Sequence, residues 1–159
     1  MKYWFDTEFI EDGKTIDLLS IGIVSEEGNT MYAENQDAAF DTASPWVKEN
    51  VLTRLNTVGV PKATIRQMLL DFVGNDPKPE FWAYYGAYDW VALCQLFGTM
   101  MELPKGWPFY CRDIKQWCDS LGNPRLPKQE TQEHHALNDA LWTKQAYEFL
   151  ENYKGEQIS

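Results

Sequence analysis

The chain has 159 residues and a formal net charge of −10, and 44% of its residues are hydrophobic. This length and apolar content predict one folded domain over residues 1–159 and exclude a largely disordered protein. The excess of acids argues against a nucleic-acid partner held by lysine and arginine alone, because such binding depends on the release of counterions from phosphates. Acids also interrupt residues 1–12, so we expect no secretory signal, no membrane span and a cytoplasmic location.

The first part of the chain predicts three antiparallel strands. Residues 2–6 and 16–24 are rich in aromatic and β-branched residues, and turn-forming residues at 11–14 separate them, so they are expected to form a hairpin. A second turn at 25–29 precedes a third strand at 30–33.

The remainder alternates helices with short strands. Ser44 followed by Pro45 is typical of a helix start, and residues 62–73 place apolar side chains at helical spacing. Further expected elements are strands over 80–85 and 109–111 and helices over 89–97, 113–121 (capped by Asp113) and 137–153. The last helix is expected to bury Leu141, Ala146, Phe149 and Leu150. Strands followed by alternating helices and strands predict an α/β fold with a mixed sheet flanked by helices.

Two acids flank Thr7 near the end of the first strand. Side chains two residues apart on a strand point to the same face, so Asp6 and Glu8 can converge on one cation while Thr7 faces the other way. Two solvated acids at a strand end would explain a lone pair equally well. These two directly follow the apolar residues 3–5, and a partly buried carboxylate persists only when it is paired, hydrogen-bonded or metal-bound.

Two further acids and a histidine lie in separate segments. Asp89 opens the helix expected at 89–97, where it can act as N-cap as well as metal ligand. His134 precedes Asp139 by five residues, so the two converge only if His134 lies on the loop before the last helix. The adjacent His135 is a rival candidate.

These residue types together meet the needs of one reaction. Two-metal phosphodiester cleavage uses carboxylates from several segments to hold two cations ~3.5–4 Å apart. It also needs a group of near-neutral pKa to activate water, which histidine provides. The candidate set is Asp6, Glu8, Asp89, Asp139 and His134.

The motifs resemble a known nuclease family. Asp-x-Glu near the start, Asp89 after a small-residue turn, and a His five residues before Asp139 are similar to the three motifs of the DEDDh, or DnaQ-like, 3′-to-5′ exonucleases. The strings Tyr-Trp-Phe-Asp-Thr-Glu-Phe-Ile-Glu-Asp-Gly at 3–13 and Gly-Ala-Tyr-Asp-Trp-Val-Ala-Leu-Cys-Gln-Leu at 86–96 resemble the RNase AS group more closely, exoribonucleases that favour polyadenylate.

The resemblance implies a ribonuclease-H-like fold and roles for individual residues. Asp6, Glu8, Asp89 and Asp139 would ligate two Mg²⁺ ions, for which Mn²⁺ can substitute, and His134 would be the general base. It implies that Thr7 and Phe9 contact the terminal nucleotide of single-stranded RNA. It further implies release of nucleoside 5′-monophosphates from RNA 3′ ends and a homodimer.

Two departures from the broader family pattern remain. Tyr85 stands where many DnaQ-like proteins have Asn, and Ser20 where proofreading relatives often have Glu. Both disfavour DNA proofreading, which stays an alternative together with a catalytically idle nucleic-acid-binding module and a metal phosphatase acting on small esters. Weaker candidates for RNA contact are Arg112, Arg125 and Lys128 for phosphates and Trp82, Trp90, Trp107 and Trp117 for bases.

Overall fold

A computed structural model describes residues 1–158, in which five strands form one mixed sheet. The strands are β1 (Lys2–Glu11), β2 (Ile16–Ser25), β3 (Thr30–Glu34), β4 (Glu80–Ala83) and β5 (Arg112–Asp113). Their order across the sheet is β3-β2-β1-β4-β5, with β1 antiparallel to β2 and parallel to β4. The strand that carries Asp6 and Glu8 is therefore the central one.

Within the same described residues, helices cover both faces of this sheet. They are α1 (Pro45–Asn50), α2 (Lys62–Val73), α3 (Ala87–Gln95), α4 (Ile114–Ser120) and α5 (Ala136–Ile158). Residues of α2 and α3 belong to the main apolar core on one face, and those of α4 and α5 form a second cluster on the other. Short 3-10 turns at Phe40–Thr42, Leu52–Arg54 and Met100–Glu102 lie in the connections.

The first face is packed with hydrocarbon and aromatic side chains. Tyr3 and Phe5 point into it from β1 and are buried among Phe81, Trp90 and Phe72. Burial of this aromatic area is the main source of stability on this side, because the free energy gained scales with the apolar area removed from water.

The second face brings α5 unusually close to the sheet. A Cβ atom at Gly22 of β2 would lie 2.4 Å from the backbone of Leu137, so only glycine allows this approach. Small side chains dominate the buried stripe of α5, which consists of Ala136, Ala140, Thr143, Ala146 and Leu150. Gly22 also pairs with Asp6 across the β1–β2 ladder. The close contact therefore fixes the start of α5 beside that acid.

Most of the predicted elements are confirmed. The helix over 62–73 has the predicted bounds, and the hairpin and third strand form as expected. The Ser44 side chain accepts a hydrogen bond from the Val47 N–H, and Asp113 caps α4 by accepting one from Lys115. These are the positions at which local chemistry alone decides the structure.

Several expectations were wrong. The short strand predicted at 109–111 lies at Arg112–Asp113, because an edge strand of two residues is set by pairing with β4. Helix α3 begins at Ala87 with Gly86 as its N-cap, so Asp89 lies inside the first turn and is not the cap. The strand predicted over 80–85 ends at Ala83.

The last helix also differs from its prediction. It extends over Ala136–Ile158 instead of 137–153, and Leu141, expected in the core, is 41% exposed.

Among residues 1–158, every helix is too short or too polar to cross a lipid bilayer.

Candidate active site

The alternation of β1 separates the acids from the residue between them. Trp4 contacts the Tyr147 ring and the Lys144 ammonium of α5, so the face shared by Trp4, Asp6 and Glu8 is the α5 face. Thr7 points to the opposite face, as predicted, and is buried. The central strand therefore presents two carboxylates toward the first turn of α5.

Asp89 is held in place by Thr7. The Thr7 backbone N–H donates to Asp89 Oδ1 at 3.0 Å, and the Thr7 hydroxyl donates to the same oxygen. Asp89 is buried in the first turn of α3. Both hydrogen-bond donors of Thr7, its backbone N–H and its hydroxyl, thus hold the Asp89 carboxylate.

His134 and Asp139 meet because His134 lies outside the helix. His134 has a positive φ of 63°, and its backbone N–H donates to Asp139 Oδ2 at 3.2 Å. Gln129 donates from Nε2 to the other oxygen of Asp139 at 2.8 Å. The loop before α5 thereby folds over the carboxylate, and the predicted placement of His134 on a loop is confirmed.

Side chains from β1, from the loop before α5 and from α5 itself come together at one place. One oxygen or nitrogen atom from each of Glu8, His134 and Asp139 lies within 4.8 Å of the others. Burial, and then the charge of Asp139, raises the pKa of Glu8 to about 9. Burial also raises the pKa of Asp6 well above its usual range, and Asp89, Glu8 and Asp139 add to this as neighbouring carboxylates.

Burial and hydrogen bonding shift the pKa of Asp89 in opposite directions. Burial raises its pKa to about 6, although the hydrogen bonds from Thr7 lower it and the charges of Asp113 and Asp139 raise it. The hydrogen bonds from Thr7 favour the ionised form of Asp89 and so oppose the effect of burial on its pKa.

An open cavity of about 460 Å³ lies beside Asp6, His134 and Asp139. It is lined by Asp6, Tyr84, Lys128, Gln129, Glu133, His134, Asp139, Trp142 and Thr143. The cavity is large enough for one nucleotide-sized group and combines acids, one lysine and aromatic rings. Lys128, one of the weaker predicted candidates, lies in its wall, whereas Trp90 and Trp107 are buried in the core.

The two histidines have different surroundings. His134 lines the cavity, and its ring contacts Trp46 edge-on at 5.1 Å. His135 stacks on Tyr32 at 4.5 Å, and its Nδ1 is buried without a hydrogen-bond partner. The structure therefore places only His134 beside the acids.

Phe9 lies at the end of the same strand. It is half-buried, and its ring contacts that of the exposed Tyr88 at 6.0 Å. Tyr88 directly precedes Asp89 in α3, so an aromatic pair adjoins that acid.

Sequence reasoning missed several residues of the site. Gln129, Tyr84 and Trp142 line the cavity but carry no spacing signal, because a loop and two separate elements bring them together. Gly22 did carry a signal, since a glycine inside a strand indicates close approach of another backbone.

The donor set fits divalent cations. Carboxylate oxygens are the ligands that Mg²⁺ and Mn²⁺ prefer, and three donor atoms within 4.8 Å of one another can share one ion. Asp6 Oδ2 is buried and lacks a hydrogen-bond partner, a costly state that a bound cation would relieve.

The chain is similar to known ribonucleases. The family described as the 3′-5′ exoribonuclease Rv2179c-like domain matches residues 1–150. The 3′-5′ exoribonuclease Rv2179c of Mycobacterium tuberculosis (strain ATCC 25618 / H37Rv) is 42% identical over 146 residues, which cover 88% of this chain and 87% of that protein. The 3′-5′ exoribonuclease MT2234.1 of Mycobacterium tuberculosis (strain CDC 1551 / Oshkosh) shows the same identity and coverage.

Solved structures share the fold at low identity. The RNase domain of the yeast Pop2 protein is 13% identical with a TM-score of 0.54, covering 93% of this chain and 77% of that one. A chain in the structure of the yeast NOT1 MIF4G domain co-crystallised with CAF1 is also 13% identical with a TM-score of 0.54, covering 98% of this chain and 80% of that one. The predicted ribonuclease-H-like mixed sheet flanked by helices is thus confirmed. By its match over residues 1–150, the chain belongs to the Rv2179c-like 3′-5′ exoribonuclease domain family.

Proposed function

We propose that this protein removes nucleotides one at a time from the 3′ end of single-stranded RNA and releases nucleoside 5′-monophosphates. Membership of the family supports the reaction, as does 42% identity to a relative named a 3′-5′ exoribonuclease. The observation that carries the proposal is the convergence of Glu8, His134 and Asp139 within 4.8 Å of one another. Two of them, His134 and Asp139, line an open cavity.

Four carboxylates would hold the metals. Asp6, Glu8, Asp89 and Asp139 offer oxygen ligands from β1, α3 and α5, which suits two Mg²⁺ ions with Mn²⁺ as a substitute. When bound, the cations would supply the positive charge that stabilises the phosphate oxygens and the leaving 3′-oxygen. They would also cancel local acid charge, which makes a chain of net charge −10 compatible with RNA.

His134 would act as the general base. Its imidazole lies at the cavity, where it could take a proton from the attacking water. His135 is a poorer candidate, because its ring is stacked on Tyr32. The hydrogen bond from the His134 backbone to Asp139 ties the base to one of the acids.

Phe9 and Thr7 would serve the terminal nucleotide in different ways. Phe9, half-buried beside Tyr88, offers a ring for the base or sugar. Thr7 would act through Asp89, since its backbone N–H and hydroxyl already bond to that carboxylate. A preference for polyadenylate and assembly into a homodimer rest on the resemblance of the motifs to the RNase AS group.

A gel time course tests the activity. Oligoadenylate RNA labelled at its 5′ end, and the matching DNA, are incubated with Mg²⁺, with Mn²⁺ or with EDTA. We expect a ladder that shortens from the 3′ end on RNA only when metal is present. Equal or faster shortening of DNA would replace the RNA assignment with an exodeoxyribonuclease, and turnover of free nucleotide esters alone would indicate a phosphatase.

The histidines provide a matched pair of variants for the same assay. His134→Ala should lower kcat by roughly 10²–10⁴-fold, the usual contribution of general base catalysis. His135→Ala should leave catalysis far less affected and act mainly on stability through the lost Tyr32 contact. A larger loss of kcat at His135 would assign the base to that residue instead.

A further inference from the structure

Tyr85 combines an unfavourable backbone with an exposed ring. It follows β4 with a φ of 52°, in the left-handed region that bulky residues rarely occupy. Its side chain is 63% exposed, so burial does not compensate for that conformation. A strained residue that persists at the edge of a site indicates a use for its side chain.

The turn itself does not require a tyrosine. Asp113 accepts hydrogen bonds from the backbone N–H groups of Tyr85 at 3.3 Å and Gly86 at 2.8 Å, and these fix the path of the chain into α3. Glycine or asparagine adopts a positive φ more readily and would keep both bonds, because they come from the backbone. The backbone of Tyr85, and not its ring, therefore makes the hydrogen bonds that fix this turn.

The ring stands beside the active-site cavity. It contacts Tyr84 edge-on at 4.7 Å, and Tyr84 in turn contacts Trp142 at 5.0 Å. Tyr84 and Trp142 both line the cavity that holds Asp6 and Asp139. Tyr85 thus extends an aromatic wall from the cavity toward solvent.

The negative net charge of the chain favours RNA binding through contacts to the bases over binding through the phosphates. At a net charge of −10, attraction of the RNA backbone away from the metals is weak. Every base has a flat face that can stack on an exposed aromatic ring, whatever the charge around it.

We propose that Tyr85 is a substrate-binding residue whose exposed ring stacks on a base of single-stranded RNA next to the active site. This inference rests on the proposed exoribonuclease function. Tyr85 takes no part in the chemistry, so its removal weakens substrate binding and leaves the chemical step intact.

The test compares Tyr85→Asn and Tyr85→Phe with a Tyr110→Asn control in the full-length protein. Tyr110 is similarly exposed, at 57%, but lines a cavity other than the one that holds Asp6 and Asp139. We expect Tyr85→Asn to raise KM for oligoadenylate by roughly 5- to 150-fold, the range that loss of base–aromatic stacking gives, with kcat within twofold. Tyr85→Phe and Tyr110→Asn should both behave as wild type.

Two further readouts separate binding from a structural role. Tyr85→Asn should keep or raise the melting temperature, because asparagine relieves the left-handed strain. An oligoadenylate series with one abasic position at a time should contain one substrate on which wild type and Tyr85→Asn have the same KM.

Three outcomes would overturn the inference. They are an unchanged KM for Tyr85→Asn, a lower melting temperature that shows the ring to be structural, and a KM defect that persists on every abasic substrate. A wild-type protein that leaves RNA intact with either metal would contradict the proposed exoribonuclease function itself. An active wild type with an unchanged Tyr85→Asn variant would contradict only the role of Tyr85.

Discussion

The two faces of β1 differ in what their side chains do for the protein. On one face Tyr3 and Phe5 are buried against aromatic partners, and each contact lowers the free energy of the folded chain. On the other face Asp6 and Glu8 lie among further carboxylates, and their raised pKa values show that the ionised forms are destabilised there. One strand thus carries both a stabilising surface and a surface that opposes stability, which is typical of an active site.

The largest effect on activity is expected on the face of β1 that carries Asp6 and Glu8. Asp6→Asn should lower kcat/KM at least about a thousandfold, roughly 4 kcal/mol, because it removes a ligand shared by the proposed metals. The same change should raise the melting temperature in EDTA, since one of several neighbouring charges is gone. Kinetics and thermal melts of one preparation check both parts.

The exposed Asp41 provides the control for that variant. Asp41→Asn should change neither activity nor melting temperature. Full activity in Asp6→Asn would remove Asp6 from the metal site, and a lower melting temperature in EDTA would contradict the contrast between the faces.

The apolar face should respond in the opposite sense. Phe5→Ala should lower the free energy of unfolding by about 3–5 kcal/mol, because it leaves a cavity against Phe81 and Trp90. Urea denaturation measures this loss. The exposed Phe109 is the control, and Phe109→Ala should stay within about 0.5 kcal/mol of wild type. Equal losses at the two positions would show that burial does not explain the difference.

Gly22 affects both the stability of the fold and the position of α5 beside the candidate site. Gly22→Ala should cost about 1–3 kcal/mol, because its Cβ would meet the Leu137 backbone at 2.4 Å. The displaced α5 should carry Asp139 out of place and lower kcat. In Gly155→Ala, where the added Cβ meets nothing within 4 Å, the helix should gain about 0.5–1 kcal/mol. A destabilised Gly22 variant with unchanged kcat would separate helix packing from the site.

The last prediction concerns the pH dependence of stability. The pKa of Glu8 is raised to about 9, so between its ordinary value of 4.5 and that value the folded chain binds more protons than the unfolded chain. Stability in EDTA should therefore fall as pH rises through this window, and it should fall less steeply in Glu8→Gln. Melting curves from pH 5 to about 9 check this sign, which a stability rising with pH would refute.

Local sequence was sufficient where one element decides its own structure. The bounds of α2 follow from its apolar spacing and from Gly74 at its end, and the Asp113 cap follows from one side chain. Alternation on a strand likewise placed Asp6 and Glu8 together and turned Thr7 away, because that geometry involves only neighbouring residues.

Contacts between residues far apart in the sequence could not be predicted. Leu141 was predicted in the core because it is large and apolar. Instead α5 buries mainly small side chains, because the helix lies very close to the sheet. The contact between Gln129 and Asp139 depends on how a loop without periodicity folds. The backbone of Tyr85 depends on Asp113, which is far away in sequence. In each case the deciding partner belongs to another element.

The central place of β1 in the sheet has an entropic consequence. Acids on a mobile loop would drift apart to reduce their repulsion, and a cation would have to order the chain again before it could bind. Asp6 and Glu8 are attached to a strand that is hydrogen-bonded on both sides, so their spacing is set when the sheet forms. At the proposed metal site, an entering cation would therefore meet ligands already in position, and its binding would release the repulsion between them instead of restricting the chain.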